Sequence, residues 1–162
     1  MPNGIWSSKK TENYNILNNI VLEVLEGEET NDEYVKRKQK LVKKWNAMTA
    51  LDDFGSGYNS EYALLTLKPN IIKIDRSIVS GCDHDESKSD IISKLVQISA
   101  SKNILVLAEG VETRDELKKV IECGVDLLQG FYFGKPSFEP QVCSEETTRD
   151  ILRMSEKVRN KK

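Results

Sequence analysis

The sequence has one histidine, three cysteines and four prolines in 162 residues, and no apolar run near the ~20 residues needed to cross a bilayer. Each shortage excludes something. Cys82, Cys123 and Cys143 are odd in number and widely spaced, so neither a Cys-x-x-Cys motif nor a disulfide framework is available. Reduced thiols in a cytoplasmic protein are expected. The single histidine, His84, lies in a polar stretch and leaves the chain poor in zinc-type ligands. The start, Met1 to Trp6, lacks the basic-then-apolar order of a signal peptide, and membrane insertion by this chain is not expected. A formal net charge of −2 favours neither a nucleic acid polymer nor an anionic membrane. What remains, 38% hydrophobic and 31% charged, suits one polar globular domain with an ordinary core.

Short β-rich runs alternate with helical patterns. Ile20–Leu25 is the first strand, followed by a helix that a capping box of Thr30 and Glu33 opens and that carries Val35, Leu41, Val42 and Trp45. Met48–Leu51 is a second strand ending in Asp52-Asp53. Gly55 and Gly57 then turn the chain into a short helix around Tyr62–Leu65, which Pro69 stops. Ile71–Asp75 is a third strand, Ser80–Ser89 an irregular polar stretch, and Ile91, Ile92, Leu95 and Val96 mark the next helix. Ile104–Ala108 is the fourth strand. Thr113 and Glu116 form a second capping box, and Gly124 is placed to end that helix in a left-handed conformation. Val125–Gln129 is the fifth strand, and Glu145–Val158 a last amphipathic helix with a lysine-rich tail. Strands apolar nearly throughout predict a parallel α/β sheet covered on both faces. An open doubly wound sheet and part of a (β/α)8 barrel both fit.

Chemistry in such folds sits at the C-terminal ends of the strands, and the charged residues collect there. Glu26 follows the first strand, with Glu23 an inward candidate inside it. Asp52 and Asp53 end the second, and Lys73 and Asp75 lie late in the third. Glu109 ends the fourth with Glu112 beyond it, and Gln129 ends the fifth. One strand-end aspartate is most simply a helix cap or turn former. Carboxylates from successive strands on one rim repel one another unless a counter-ion is present. Oxygen ligands suit Mg²⁺ or Mn²⁺, and two such ions about 3.5–4 Å apart are a common device for cleaving phosphate esters.

Together the segments EVLE at 23–26, LDDFGSGY at 51–58, KID at 73–75, AEGVET at 108–113 and QGFYFGKP at 129–136 resemble the EAL family of cyclic-di-GMP phosphodiesterases. The resemblance implies a (β/α)8 barrel with a two-metal centre, Mg²⁺ or Mn²⁺, that hydrolyses cyclic-di-GMP to linear pGpG through an activated water. By position, Glu23 and Asp52 resemble ligands of one ion, with Asp52 bridging to a second and Asp53 and Glu109 nearby. Lys73 resembles the family lysine that contacts the attacking water or the phosphate. Glu112 and Gln129 resemble rim residues supporting this network and the ligand. Glu26 resembles the acid that secures the loop after the aspartate pair, Phe54 to Ser60, which the family uses for dimerisation and activation.

Two local departures are Leu25 in place of a threonine and Asn59-Ser60-Glu61 in place of the common Ser-Ser-Leu. A larger one is that the namesake Glu-Ala-Leu, its arginine and a metal-binding asparagine belong upstream of Glu23 and are not found. Residues 1–13 are expected to be an unrelated or poorly ordered leader, and 14–162 a truncated EAL domain of about five parallel βα units. Such an incomplete barrel leaves open edges and apolar surface, so a homo-oligomer or a partner completing it is expected. The expected function is a phosphodiesterase fragment, weak or inactive alone. The alternative is a non-catalytic module that binds cyclic-di-GMP or a protein.

Overall fold

The computed structural model describes residues 20–25, 32–54, 64, 66–139 and 142–159. Its elements run β1 (Val21–Leu25), α1 (Asp32–Trp45), β2 (Met48–Phe54), β3 (Ile71–Ile74), α2 (Arg76–Val79) and α3 (Glu86–Ala100). They continue with β4 (Leu105–Ala108), α4 (Arg114–Cys123), β5 (Leu127–Leu128) and α5 (Glu145–Arg159). The five strands form one sheet in the order β1-β2-β3-β4-β5, and every neighbouring pair is parallel. That order separates the two architectures left open above. A doubly wound sheet reverses its strand order at a switch point, whereas each strand here lies beside its successor, as around a barrel wall.

The register sorts side chains onto two faces. Glu23 pairs with Ala50, Ala50 with Ile71 and Ile71 with Leu105; two residues on, Lys73 pairs with Leu107 and Leu107 with Leu127. Because successive residues of a strand point to opposite faces, these share one face and their neighbours share the other. The second face carries Val24, Leu51, Ile72, Ile74, Val106 and Ala108, all essentially inaccessible to solvent. They pack in two apolar clusters, one with Leu64, Leu67 and Ile104, the other with Ile92, Leu117, Val120 and Met154 from the helices. The first face is mixed: Ala50 and Ile71 are buried, whereas Val21, Met48 and Leu105 remain 39%, 37% and 43% exposed.

Several boundaries differ from the sequence reading, each for a local reason. Asp75 does not extend the third strand; it caps α2, its carboxylate accepting from the Ser77 amide at 2.9 Å. The stretch Ser80–Ser89 is only half irregular, because Asp85 accepts from the amides of Ser87 and Lys88 and starts α3 at Glu86. The fifth strand shrinks to Leu127–Leu128. The second capping box is formed as expected, and Gly124 ends α4 at φ 90°. All three cysteines are free; burial pushes the Cys82 thiol up to about 11, which keeps it an unreactive core residue. The first capping box at Thr30, the loop at 55–60, the helix start at Tyr62, and residues 1–19 with the expected leader lie outside the described residues. The C-terminal tail beyond 159 does as well.

Candidate metal centre

The site begins with a break in β2. The β2–β3 register shifts between Leu51 and Phe54, and Asp53 adopts φ 56°, a left-handed conformation that short polar side chains tolerate best. In a regular strand two adjacent aspartates would point to opposite faces. Here the bulge turns both to the same side, and the Asp53 amide donates to Asp52 Oδ1 at 3.1 Å. The sequence reading ended the strand at this pair; instead the strand passes through it to Phe54. Carboxylate oxygens of Asp52, Asp53 and Glu109 all lie within 4.8 Å of one another.

Lys73 stands at the hub. Its Nζ lies 2.8 Å from Glu23 Oε1, 2.8 Å from Asp52 Oδ1 and 2.8 Å from Glu109 Oε1. The three acids come from β1, β2 and the residue after β4, so a lysine in the middle strand collects carboxylates from both sides. Lys73 is 7% exposed. Burial disfavours its charge, but the carboxylates of Asp52, Glu109 and Glu23 outweigh that cost and hold the ammonium above the ordinary lysine range. Glu109 moves the opposite way to most paired acids. Burial raises its pKa, Lys73 opposes the rise, and the like charges of Asp52 and Glu23 add to it. Burial is the largest influence on Glu109, even with the lysine in contact. Hard divalent cations such as Mg²⁺ and Mn²⁺ match three converging carboxylates with no nitrogen or sulfur donor.

The other expected residues are placed around this centre. Glu112 Oε1 pairs with the Arg76 guanidinium at 2.9 Å, and Arg76 was not singled out from the sequence. Gln129 enters through its backbone: its amide donates to the Ala108 carbonyl at 2.9 Å and its carbonyl accepts from Val111 at 3.0 Å. Asp75 is absorbed by its cap. His84 is exposed and pairs with Asp83 at 3.0 Å. Glu26 lies outside the described residues. Two glycines shape the rim. Gly110, at φ 72°, is packed so closely against the Arg76 side chain that a Cβ there would collide with it, and a Cβ on Gly130 would meet the Val111 backbone. Among the described residues, no helix is long and apolar enough to cross a membrane.

Comparison with known proteins places the fold. A family profile described as EAL domain matches residues 8–136. The chain is 38% identical over 121 residues to the cyclic di-GMP phosphodiesterase PdeA of Borreliella burgdorferi, a match covering 74% of this chain and 18% of that protein. It is 33% identical over 117 residues to the probable cyclic di-GMP phosphodiesterase PdeD of Escherichia coli, covering 72% and 22% respectively. A standalone versatile EAL protein from Vibrio cholerae, solved with c-di-GMP bound, superposes with a TM-score of 0.74 at 34% identity, covering 81% of this chain and 56% of that one. Klebsiella pneumoniae BlrP1, solved with manganese and the dinucleotide, gives 0.69 at 32% identity, covering 74% and 31%. The chain thus spans only about a fifth of the length of the two curated relatives. It belongs to the EAL domain family.

Proposed function

We propose that this chain carries the lysine-and-carboxylate side of a cyclic-di-GMP phosphodiesterase site and is weak or inactive as a hydrolase alone. The observation that carries this reading is the convergence of Glu23, Asp52 and Glu109 on Lys73, with Asp53 brought alongside by the β2 bulge. Asp52, Asp53 and Glu109 would hold Mg²⁺ or Mn²⁺. When bound, such an ion supplies Lewis-acid polarisation of a phosphoryl oxygen and a lowered pKa for water at the site. The chain's own residues do the rest. Lys73, kept charged by its neighbours, presents an ammonium to the phosphate or the incoming water. Glu23 orients that ammonium from β1. Glu112 and Gln129 support the rim where the dinucleotide would lie. In the overall reaction, water oxygen joins phosphorus, one ester P–O bond breaks, and a proton passes to the departing ester oxygen, which becomes the free hydroxyl of linear pGpG.

The same reading treats residues 14–162 as one EAL segment. Strands from another copy or a partner would close the wall beyond β1 and β5, the sheet's edges among the described residues. A second reading, a module that binds cyclic-di-GMP without cleaving it, uses the same lysine and carboxylates as its binding rim. Two assays on the purified chain test these readings. Calorimetry with cyclic-di-GMP and Ca²⁺ should give saturable heat, and a flat titration would remove both. Incubation with Mn²⁺ should give little or no pGpG. Turnover that Glu109→Gln abolishes would show instead that the chain is a competent enzyme.

A further inference from the structure

Glu116 is a buried carboxylate that the chemistry above does not use. It sits in the first turn of α4 and is 6% exposed. Part of its role was legible as a capping box: the Thr113 amide donates to Glu116 Oε2 at 3.0 Å, and the Glu116 amide donates to Thr113 Oγ1 at 3.2 Å. The structure adds two bonds that a capping box does not require. The Glu112 amide also donates to Oε2, at 3.0 Å, and the Gly81 amide donates to Oε1 at 2.9 Å. Gly81 belongs to the turn after α2, far from α4 in sequence. One carboxylate therefore ties together three segments: the turn beyond β3, the arch at 109–113 beyond β4, and the start of α4.

That arch carries the site. Its first half is fixed by the sheet, with the Glu109 amide donating to Ile74 at 3.1 Å and the Val111 amide to Gln129 at 3.0 Å. Its second half, the amides of Glu112 and Thr113, is fixed by Glu116. Arg76 links the same two regions from outside, packing on Gly110 and pairing with Glu112. The chemistry of the donors also explains the choice of acid. Three N–H groups converge on two oxygens, and only a carboxylate offers an acceptor at both positions; glutamine would turn an NH₂ toward at least one donor. Burial works against the charge of Glu116, but the amides of Gly81, Glu112 and Thr113 hold its pKa below the ordinary glutamate value.

We propose that Glu116 is a positioning residue for the metal centre, setting the arch so that Glu109 meets Asp52 and Asp53, and so that Glu112 meets Arg76. This rests on the reading of those carboxylates as ligands of a divalent cation. Outer partners that orient ligands typically change metal affinity by about 10–100-fold when lost.

The test uses the full chain and Mn²⁺ alone, with calorimetry and residue-resolved amide hydrogen exchange run side by side. Glu116→Gln, near-isosteric, should weaken Mn²⁺ about ten-fold and speed exchange at Gly81, Glu112 and Thr113, with Ile74 and Ala108 unchanged. Glu116→Asp keeps the charge but shortens its reach, and should weaken Mn²⁺ too. Thr113→Ala removes the cap hydroxyl but keeps the three amide bonds, so it should lower Tm with Mn²⁺ affinity within two-fold of wild type. The proposal is overturned if Glu116→Gln or Glu116→Asp binds Mn²⁺ like wild type, or if Thr113→Ala weakens it as much as Glu116→Gln does. If wild type takes up no Mn²⁺, the metal reading falls by itself. Exchange at Glu112 and Thr113 then decides: faster in Glu116→Gln supports positioning of the arch, and unchanged exchange overturns it.

Discussion

The two faces of the sheet are built from the same strands, one residue apart, yet they solve different problems. On the helix side Leu51, Ile72, Ile74 and Val106 are sealed from water among leucine, isoleucine and valine side chains. On the other side Glu23, Asp52 and Lys73 replace that packing with charge, and Val21, Met48 and Leu105 stay partly wet. The helix side is where apolar burial stabilises the fold. The open side concentrates three acids around one cation and spends stability to do so, as functional sites commonly do.

The sharpest way to break this comparison is truncation on each face in turn. Ile72→Ala or Leu51→Ala should cost about 2–5 kcal/mol in urea unfolding, the usual range for a buried aliphatic cut to alanine. Leu105→Ala, from the open face, should cost less than about 1 kcal/mol because its side chain is already hydrated. Equal losses on the two faces would mean that the open face is a second core.

Removing the hub should come next in size. Lys73→Met leaves Glu23, Asp52 and Glu109 facing one another without their shared cation, and should destabilise the chain by about 1–3 kcal/mol in chelator. Mn²⁺ should restore part of that loss in a thermal melt, since it offers the missing positive charge. A variant as stable as wild type in chelator would show that the three contacts carry little energy.

The pH response separates Glu116 from Glu109 by sign. The folded-state pKa of Glu116 is held below the ordinary 4.5, so its contribution is present above that value and is lost as pH falls through the lower folded one. The stability gap between wild type and Glu116→Gln should therefore close on acidification. Glu109 is shifted upward from 4.5, so its ionisation works against the fold as pH rises through its folded value. Without metal, Glu109→Gln should equal or exceed wild type in Tm at neutral pH. A lower Tm would mean that Glu109 belongs with the structural acids. The smallest effect is expected from Asp150→Asn, which breaks an exposed pair with Arg114 at 2.8 Å; its melt should be indistinguishable from wild type.

Much of this was legible in the sequence because the signals were local. Apolar strand runs, the Thr113–Glu116 box, the Gly124 cap and the strand-end acids each lie within a few residues, and all but the acids' meeting point could be read directly. The bulge at Asp53 was not legible. Two adjacent aspartates say nothing by themselves about a left-handed φ, which the pairing of β2 with β3 imposes. Asp75 looked like a site residue because a strand-end aspartate and an N-cap aspartate read the same until the following residues are seen to be helical. The reach of Glu116 to Gly81 was hidden for the opposite reason: the partners are 35 residues apart, and only the fold joins them.

The most direct measurement is a calorimetric Mn²⁺ titration of the purified chain beside Asp52→Asn, with melts of both in chelator. Wild type should bind Mn²⁺ saturably and Asp52→Asn at least ten-fold more weakly, with both cooperatively folded because the helix-side core is untouched. Equal affinities, or no uptake by either, would contradict that expectation.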